Sequence, residues 1–214
     1  MKGFWPIFKR ELFSLFVTPL AWVLLTSFLF LQGIHFFLIV SHYAGQGEVT
    51  VDVGPLQAFF GQTILLYLPL LFICPLLTMR LFAEERRSGT MEALLTAPVG
   101  SSGVVLAKYA AALVTYAVMW APTLLYAVLL SRTGEIDWRV VGSSYLAVFS
   151  VGAGYLAVGT LTSALTKSQL MAAVLSAMVV LALFMLGIGE FIFEDGPLHL
   201  SLIHISEPTR LRRI

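Results

Sequence analysis

Five stretches of the chain are apolar at almost every position, Leu20–Val40, Phe59–Met79, Tyr109–Leu130, Val140–Thr166 and Ser168–Phe193, and the polar residues collect between them. A helix needs about 20 mainly apolar residues to cross the hydrocarbon core, because in lipid each backbone amide must be bonded within its own segment. All five reach that length, so the pattern predicts an all-α, polytopic transmembrane helix bundle. The first stretch is too long for the apolar part of a signal peptide and no small-residue cleavage site follows it, so it reads as a retained anchor.

Ahead of the first span the pattern changes to an amphipathic one. Phe4, Trp5, Phe8, Leu12, Leu15 and Phe16 recur near helical spacing, while Lys9, Arg10 and Glu11 fall on another face. This spacing predicts an N-terminal interfacial helix, with Trp5 and the basic residues at headgroup depth. Pro19 marks the turn into the membrane.

Composition sharpens the reading. The 214 residues are 58% hydrophobic and 12% charged, whereas soluble domains carry about 25% charged residues, which excludes an ordinary soluble enzyme. With 13 Lys and Arg against 12 Asp and Glu and no basic run inside the apolar body, nucleic acid is not a partner and the lipid bilayer is. Cys74 is the single cysteine, so neither an intrachain disulfide nor a cysteine-based metal site is available.

Charge placement sets an orientation. Lys2, Lys9 and Arg10 precede the first span, Arg80, Arg86, Arg87 and Lys108 lie in or next to the second connection, and Lys167 lies in the fourth. The alternate connections hold Arg132 and Arg139 alone, flanking Glu135 and Asp137, which could pair with them. Because cytoplasmic loops collect Lys and Arg, this asymmetry puts the N-terminus in the cytoplasm.

The informative connection is the second, residues 80–99. Span two is expected to continue as a helix through Arg87, with Glu84 and Arg87 at i,i+3 spacing for mutual support. Ser88-Gly89 breaks it. A short second helix then begins at Thr90, whose hydroxyl suits an N-cap, with Glu92 in its first turn, and ends at Pro98 and Gly100. Met91, Leu94 and Leu95 line one face of it. A helix of about two turns is not stable alone in water, so that face needs a surface to pack on, and a protein partner is the simplest candidate.

The string Phe82-Ala83-Glu84-Glu85-Arg86-Arg87-Ser88-Gly89-Thr90-Met91-Glu92-Ala93-Leu94-Leu95-Thr96-Ala97-Pro98 resembles the cytoplasmic loop of ABC-2-type transporter permeases, nearest to the small single-domain permeases that include gliding-motility-associated and multidrug-type exporters. Phe8-Lys9-Arg10-Glu11-Leu12, followed by Thr18-Pro19-Leu20-Ala21, is similar to that family's interfacial helix and its passage into span one. The resemblance implies a permease subunit of an ATP-driven exporter in a cell membrane, the bacterial cytoplasmic membrane, working with a second permease in a homo- or heterodimer. It implies that the loop's short helix is a coupling helix docking on a separate ABC ATPase subunit, with Glu84, Glu85, Arg86, Arg87, Gly89, Thr90, Met91, Glu92, Leu94 and Leu95 at that interface. It also implies six spans where five are present. No Gly-x-x-x-x-Gly-Lys-Ser/Thr phosphate loop occurs, so ATP with Mg is expected on the partner ATPase, and no cofactor, metal or catalytic site on this chain.

Several residues in the spans are polar or conformationally special. Gln32 with His35, and Gln62 with Thr63, should face the bundle interior or a cavity, as hydrogen-bonding groups or as possible pathway-lining residues. Pro69, Pro75 and Pro122 each remove a backbone bond, so kinks are expected there. Ser150, Gly154, Val158 and Thr162 form a stripe in span four, with Gly152, Ala153, Gly159 and Ser163 nearby, a spacing that lets helices approach closely. Glu190 reads as interfacial.

From about Leu200 the run Leu-Ser-Leu-Ile-His-Ile-Ser-Glu-Pro-Thr-Arg-Leu-Arg-Arg-Ile reads as the translation of a sequencing adapter or cloning scar. Residues 1–199 are therefore taken as the permease domain and 200–214 as a non-native tail, which leaves Arg210, Arg212, Arg213, His199 and His204 out of the argument. Two other classes compete with the transporter. A non-transporting membrane scaffold or anchor would need the same spans but no cytoplasmic elbow. An intramembrane enzyme would need partners for His35, the sole histidine well inside a span.

Overall fold

The computed structural model describes residues 4–45, 54–61, 64–90, 100–132, 134 and 136–192. Among them there is helix and no strand. Five helical stretches are long and apolar enough to cross a membrane, Pro19–Ala44, Ile64–Ser88, Ser101–Leu130, Trp138–Leu165 and Gln169–Gly187. Two compact units divide the chain, Met1–Ala177 and Met178–Ile214, and the packing described below lies within the first.

Helix α1 (Phe4–Val17) ends where the Thr18 hydroxyl donates back to the carbonyls of Ser14 and Leu15, at 2.8 and 2.9 Å, acceptors that a helix C-terminus otherwise leaves free. Pro19 opens α2 (Pro19–Gly45), a position where its missing N–H costs nothing. The Trp22 indole closes the corner by donating to the Phe16 carbonyl at 2.8 Å. Leu24, Phe28, Gln32, His35 and Ile39 are buried along one line of α2, while Trp22, Phe30 and Phe37 face outward.

Span two is made in pieces. Helix α3 (Pro55–Gly61) precedes α4 (Ile64–Thr78), which holds Pro69 and Pro75 in its interior. The helix does not run on through Arg87 as expected: residues 79–82 form a turn before α5 (Ala83–Ser88). Gly89 then stops α5 at φ 74°, left-handed backbone that glycine adopts without steric cost, as the Ser88-Gly89 break requires. The residues expected to form the next short helix, Met91, Glu92, Leu94 and Leu95 among them, lie outside the described residues.

Span three begins earlier than its hydrophobicity suggests. Helix α6 (Ser101–Trp120) includes Lys108, and Pro122 sits in a 3-10 turn, Ala121–Thr123, that separates it from α7 (Leu124–Leu130). Helix α8 (Trp138–Leu165) is capped by Asp137, which accepts the Arg139 backbone N–H at 2.9 Å. Asp137 thus serves the backbone, and among the described residues it makes no ion pair with Arg132 or Arg139. Helix α9 (Gln169–Ile192) completes the series; the Glu190 side chain and the segment 200–214 lie outside the described residues.

Helix α8 packs against α4 and α6 through glycines, though not along the expected stripe. Ser150 and Gly154 face outward, and a Cβ on Gly154 would meet nothing within 4 Å. The inward glycines are Gly152, where a Cβ would overlap the Tyr116 ring, and Gly159, where it would overlap Thr78. Close approach follows from the side that faces a neighbour, which small residues alone do not specify. At Gly152 the gap admits the Tyr116 ring, whose hydroxyl donates to the Val148 carbonyl at 3.1 Å.

Candidate functional site

Charged groups from α1 and α5 converge on one side chain of α6. Lys108, on the first half of α6, is 1% exposed, an improbable state for an ammonium without partners. Its Nζ lies 2.9 Å from Glu11 Oε1, 3.1 Å from Glu85 Oε1 and 2.7 Å from the Leu81 carbonyl, so three acceptors meet its three N–H donors. Arg10 Nη2 reaches the same two carboxylate oxygens, at 2.7 and 2.8 Å. Two cations and two carboxylates thus close a ring that joins α1, α5 and α6. The hydrogen bond to Glu11 raises the Arg10 guanidinium above its ordinary pKa, burial opposes the rise, and the charges of Glu11 and Glu85 add to it.

Glu11 can take part because it lies between Ile7 and Leu15 on the inward line of α1. The expectation that it shares the outer face with Lys9 and Arg10 is corrected by this geometry: a carboxylate is tolerated on the buried side where a cation meets it. Lys108 was legible as the single Lys or Arg inside α6, but its partners are 97 and 23 residues away in sequence at Glu11 and Glu85.

The turn between α4 and α5 is fixed from span four. Ser163 Oγ accepts the N–H groups of Phe82 and Ala83, at 3.0 and 3.1 Å, and donates to the Met79 carbonyl at 3.0 Å. Phe82 makes no side-chain cap of its own, so a hydroxyl from another helix satisfies the orphan donors at the start of α5. Arg80 adds a bond from Nη2 to the Ser14 carbonyl at 2.8 Å. Elbow, span four and α1 are thereby tied by directional bonds.

The expected interface residues separate into groups. Glu85 turns inward to the ring; Arg86 and Arg87 are exposed, and Glu84 is exposed beside a cavity of about 600 Å³ that Arg10, Arg80, Glu85 and Lys108 also line. Glu84 and Arg87 make no ion pair with each other among the described residues. Gly89 and Thr90 follow at the turn, where the Thr90 hydroxyl lies 2.8 Å from that of Ser88. In span one, Gln32 and His35 are 0% and 1% exposed and bond to each other at 3.3 Å, with the His35 ring stacked on Phe59 at 4.6 Å. Gln62 lies outside the described residues. Among the described residues no group of His, Cys, Asp and Glu could hold a metal ion.

Residues 53–206 match the family model described as ABC-2 family transporter protein. The chain belongs to that family. It is a permease of an ABC transporter and a multi-pass membrane protein. No curated protein and no solved structure matches the chain.

Proposed function

We propose that this ABC-2 permease is the membrane subunit of an exporter, pairs with a second permease, and takes its drive from a separate ATPase subunit that binds ATP with Mg and grips the elbow from α5 through residue 95. In this reading the N-terminus and the elbow are cytoplasmic, and α1 lies along the cytoplasmic face of the membrane. The observation that carries it is the anchoring of the elbow: Ser163 holds its turn to span four, and the Arg10–Glu11–Glu85–Lys108 ring holds α5 to span three and α1. A load applied at Arg86 and Arg87 would pass into the spans as a body, because packed helices shift as units more readily than they deform.

The outward charges of α5 are the docking groups to test. Arg86→Glu with Arg87→Glu, in the full-length protein, should abolish co-purification of the ABC ATPase while Gln32→Ala leaves it intact. Undiminished co-purification of the charge-reversed variant would refute docking at this elbow. The single native cysteine is buried, so Arg87→Cys supplies one accessible thiol, and crosslinking from it should capture the ATPase.

A further inference from the structure

The cavity beside α5 holds more charge than its ring consumes. Its lining includes three cations, Arg10, Arg80 and Lys108, and three carboxylates, Glu11, Glu84 and Glu85. Within the ring, Arg10 and Lys108 neutralise Glu11 and Glu85. That leaves Arg80 and Glu84. They are one helical turn apart, joined by the Glu84 N–H to Arg80 carbonyl bond at 3.4 Å, yet their side chains form no ion pair with each other or with any other described residue. Arg80 spends one guanidinium nitrogen on the Ser14 carbonyl, which leaves N–H donors over.

Among the described residues the cavity thus presents one cation and one anion without an ion-pair partner, a pattern complementary to a zwitterion. On the Glu84 side the lining adds the hydroxyls of Ser88 and Thr90, acceptors that reward a ligand cation carrying N–H groups. Beyond Arg10 lies an open apolar surface along Leu12, Phe13 and Phe16 of α1, edged by Lys9, and Phe13 is 72% exposed. Polar cavity and apolar surface meet at Arg10, the arrangement a molecule with a charged head and a hydrocarbon tail requires.

We propose that this cavity holds the headgroup of a phospholipid bearing ethanolamine, with its phosphate on Arg80, its ammonium on Glu84, and an acyl chain along the outer side of α1. A choline headgroup has the same charges but no N–H to give, and a glycerol headgroup lacks the cation. Glu84, Ser88 and Thr90 also belong to the elbow that the ATPase reading uses, but lipid retention is measured on the permease without ATPase, so its failure and the failure of docking at Arg86 and Arg87 are read separately.

The test is native mass spectrometry of the full-length protein released from nanodiscs of matched acyl chains that contain phosphatidylethanolamine, phosphatidylcholine or phosphatidylglycerol. The ethanolamine lipid should be retained roughly tenfold more than either other lipid. Arg80→Ala and Glu84→Gln should each reduce that retention severalfold, and Lys167→Ala, an exposed residue that lines neither the cavity nor the apolar surface of α1, should not. Glu84→Gln is an exposed, near-isosteric change, so its result does not hinge on folding. Equal retention of the three lipids, preference for the glycerol lipid, or unchanged retention in Glu84→Gln would overturn the proposal. Displacement by soluble phosphoethanolamine at the lipid's own affinity would overturn the part assigned to the apolar surface of α1.

Discussion

Span three is held at its two ends by different chemistry. At Lys108 the contacts are ionic and directional, and their partners come from α1, the turn and α5. At Trp120 the contacts are between rings: Phe28 at 5.0 Å, Tyr116 and Tyr145 each at 6.3 Å, all edge-on. Tyr145 in turn meets the Thr123 hydroxyl at 2.9 Å and the Phe60 ring at 5.0 Å. Edge-to-face rings tolerate small displacements with little loss, whereas a buried ion pair does not, because a separated charge faces desolvation with no compensation. The Lys108 end therefore fixes position and the Trp120 end supplies packing.

Removing the ammonium tests that contrast most severely. Lys108→Ala leaves the Glu11 and Glu85 carboxylates facing each other with Arg10 as their one shared cation, and should cost about 3–5 kcal/mol in a micellar unfolding measurement. Adding Glu11→Gln and Glu85→Gln to it should recover a large part of the loss, and failure to do so would mean that the ring is not the reason for the damage. At the other end, Gly152→Ala drives a methyl into the Tyr116 ring and should cost about 1–3 kcal/mol, while Gly154→Ala, which meets open space, should stay within about 0.5 kcal/mol of the parent.

Ser163→Ala comes next. It strips the acceptor from the Phe82 and Ala83 amides and should cost about 1–2 kcal/mol. Its particular signature is faster hydrogen exchange at those two amides with exchange near Trp120 unchanged; uniform acceleration would instead mark a general loosening. Within the ring, the smaller effect belongs to Arg10→Ala. Its side chain is 57% exposed, so its pairs are screened by solvent and the loss should stay below about 1 kcal/mol. A loss as large as that of Lys108→Ala would erase the distinction between the buried and the exposed cation of the ring.

The helices themselves were legible from the chain. Continuous apolar runs announce membrane-crossing helices because lipid offers backbone groups no other partner, and Pro19, Gly89 and Pro122 mark their corners through backbone geometry alone. Gln32 and His35 were likewise assigned to the interior on the cost of placing polar groups in lipid, and they are buried there. The loop string from Phe82 to Pro98 pointed to the ABC-2 family by its resemblance to that family's cytoplasmic loop, and the family model matches residues 53–206.

Three-dimensional packing decided the rest. In α1 the spacing puts Glu11 four residues from both Ile7 and Leu15, and its charge alone grouped it with Lys9 and Arg10. In α8 the spacing does not tell whether Gly152 or Gly154 is covered, because it states which residues share a face and not which face meets a neighbour. Lys108 and Glu85 stood in view as charges near span ends, while their junction with Glu11 joins segments far apart in the chain, and Ser163 caps a helix start that lies some 80 residues before it. Local backbone chemistry and the solvent preference of side chains act within a few residues and can be read in order. Ion pairs, caps donated from another helix and glycine contacts exist only once distant segments have been brought together.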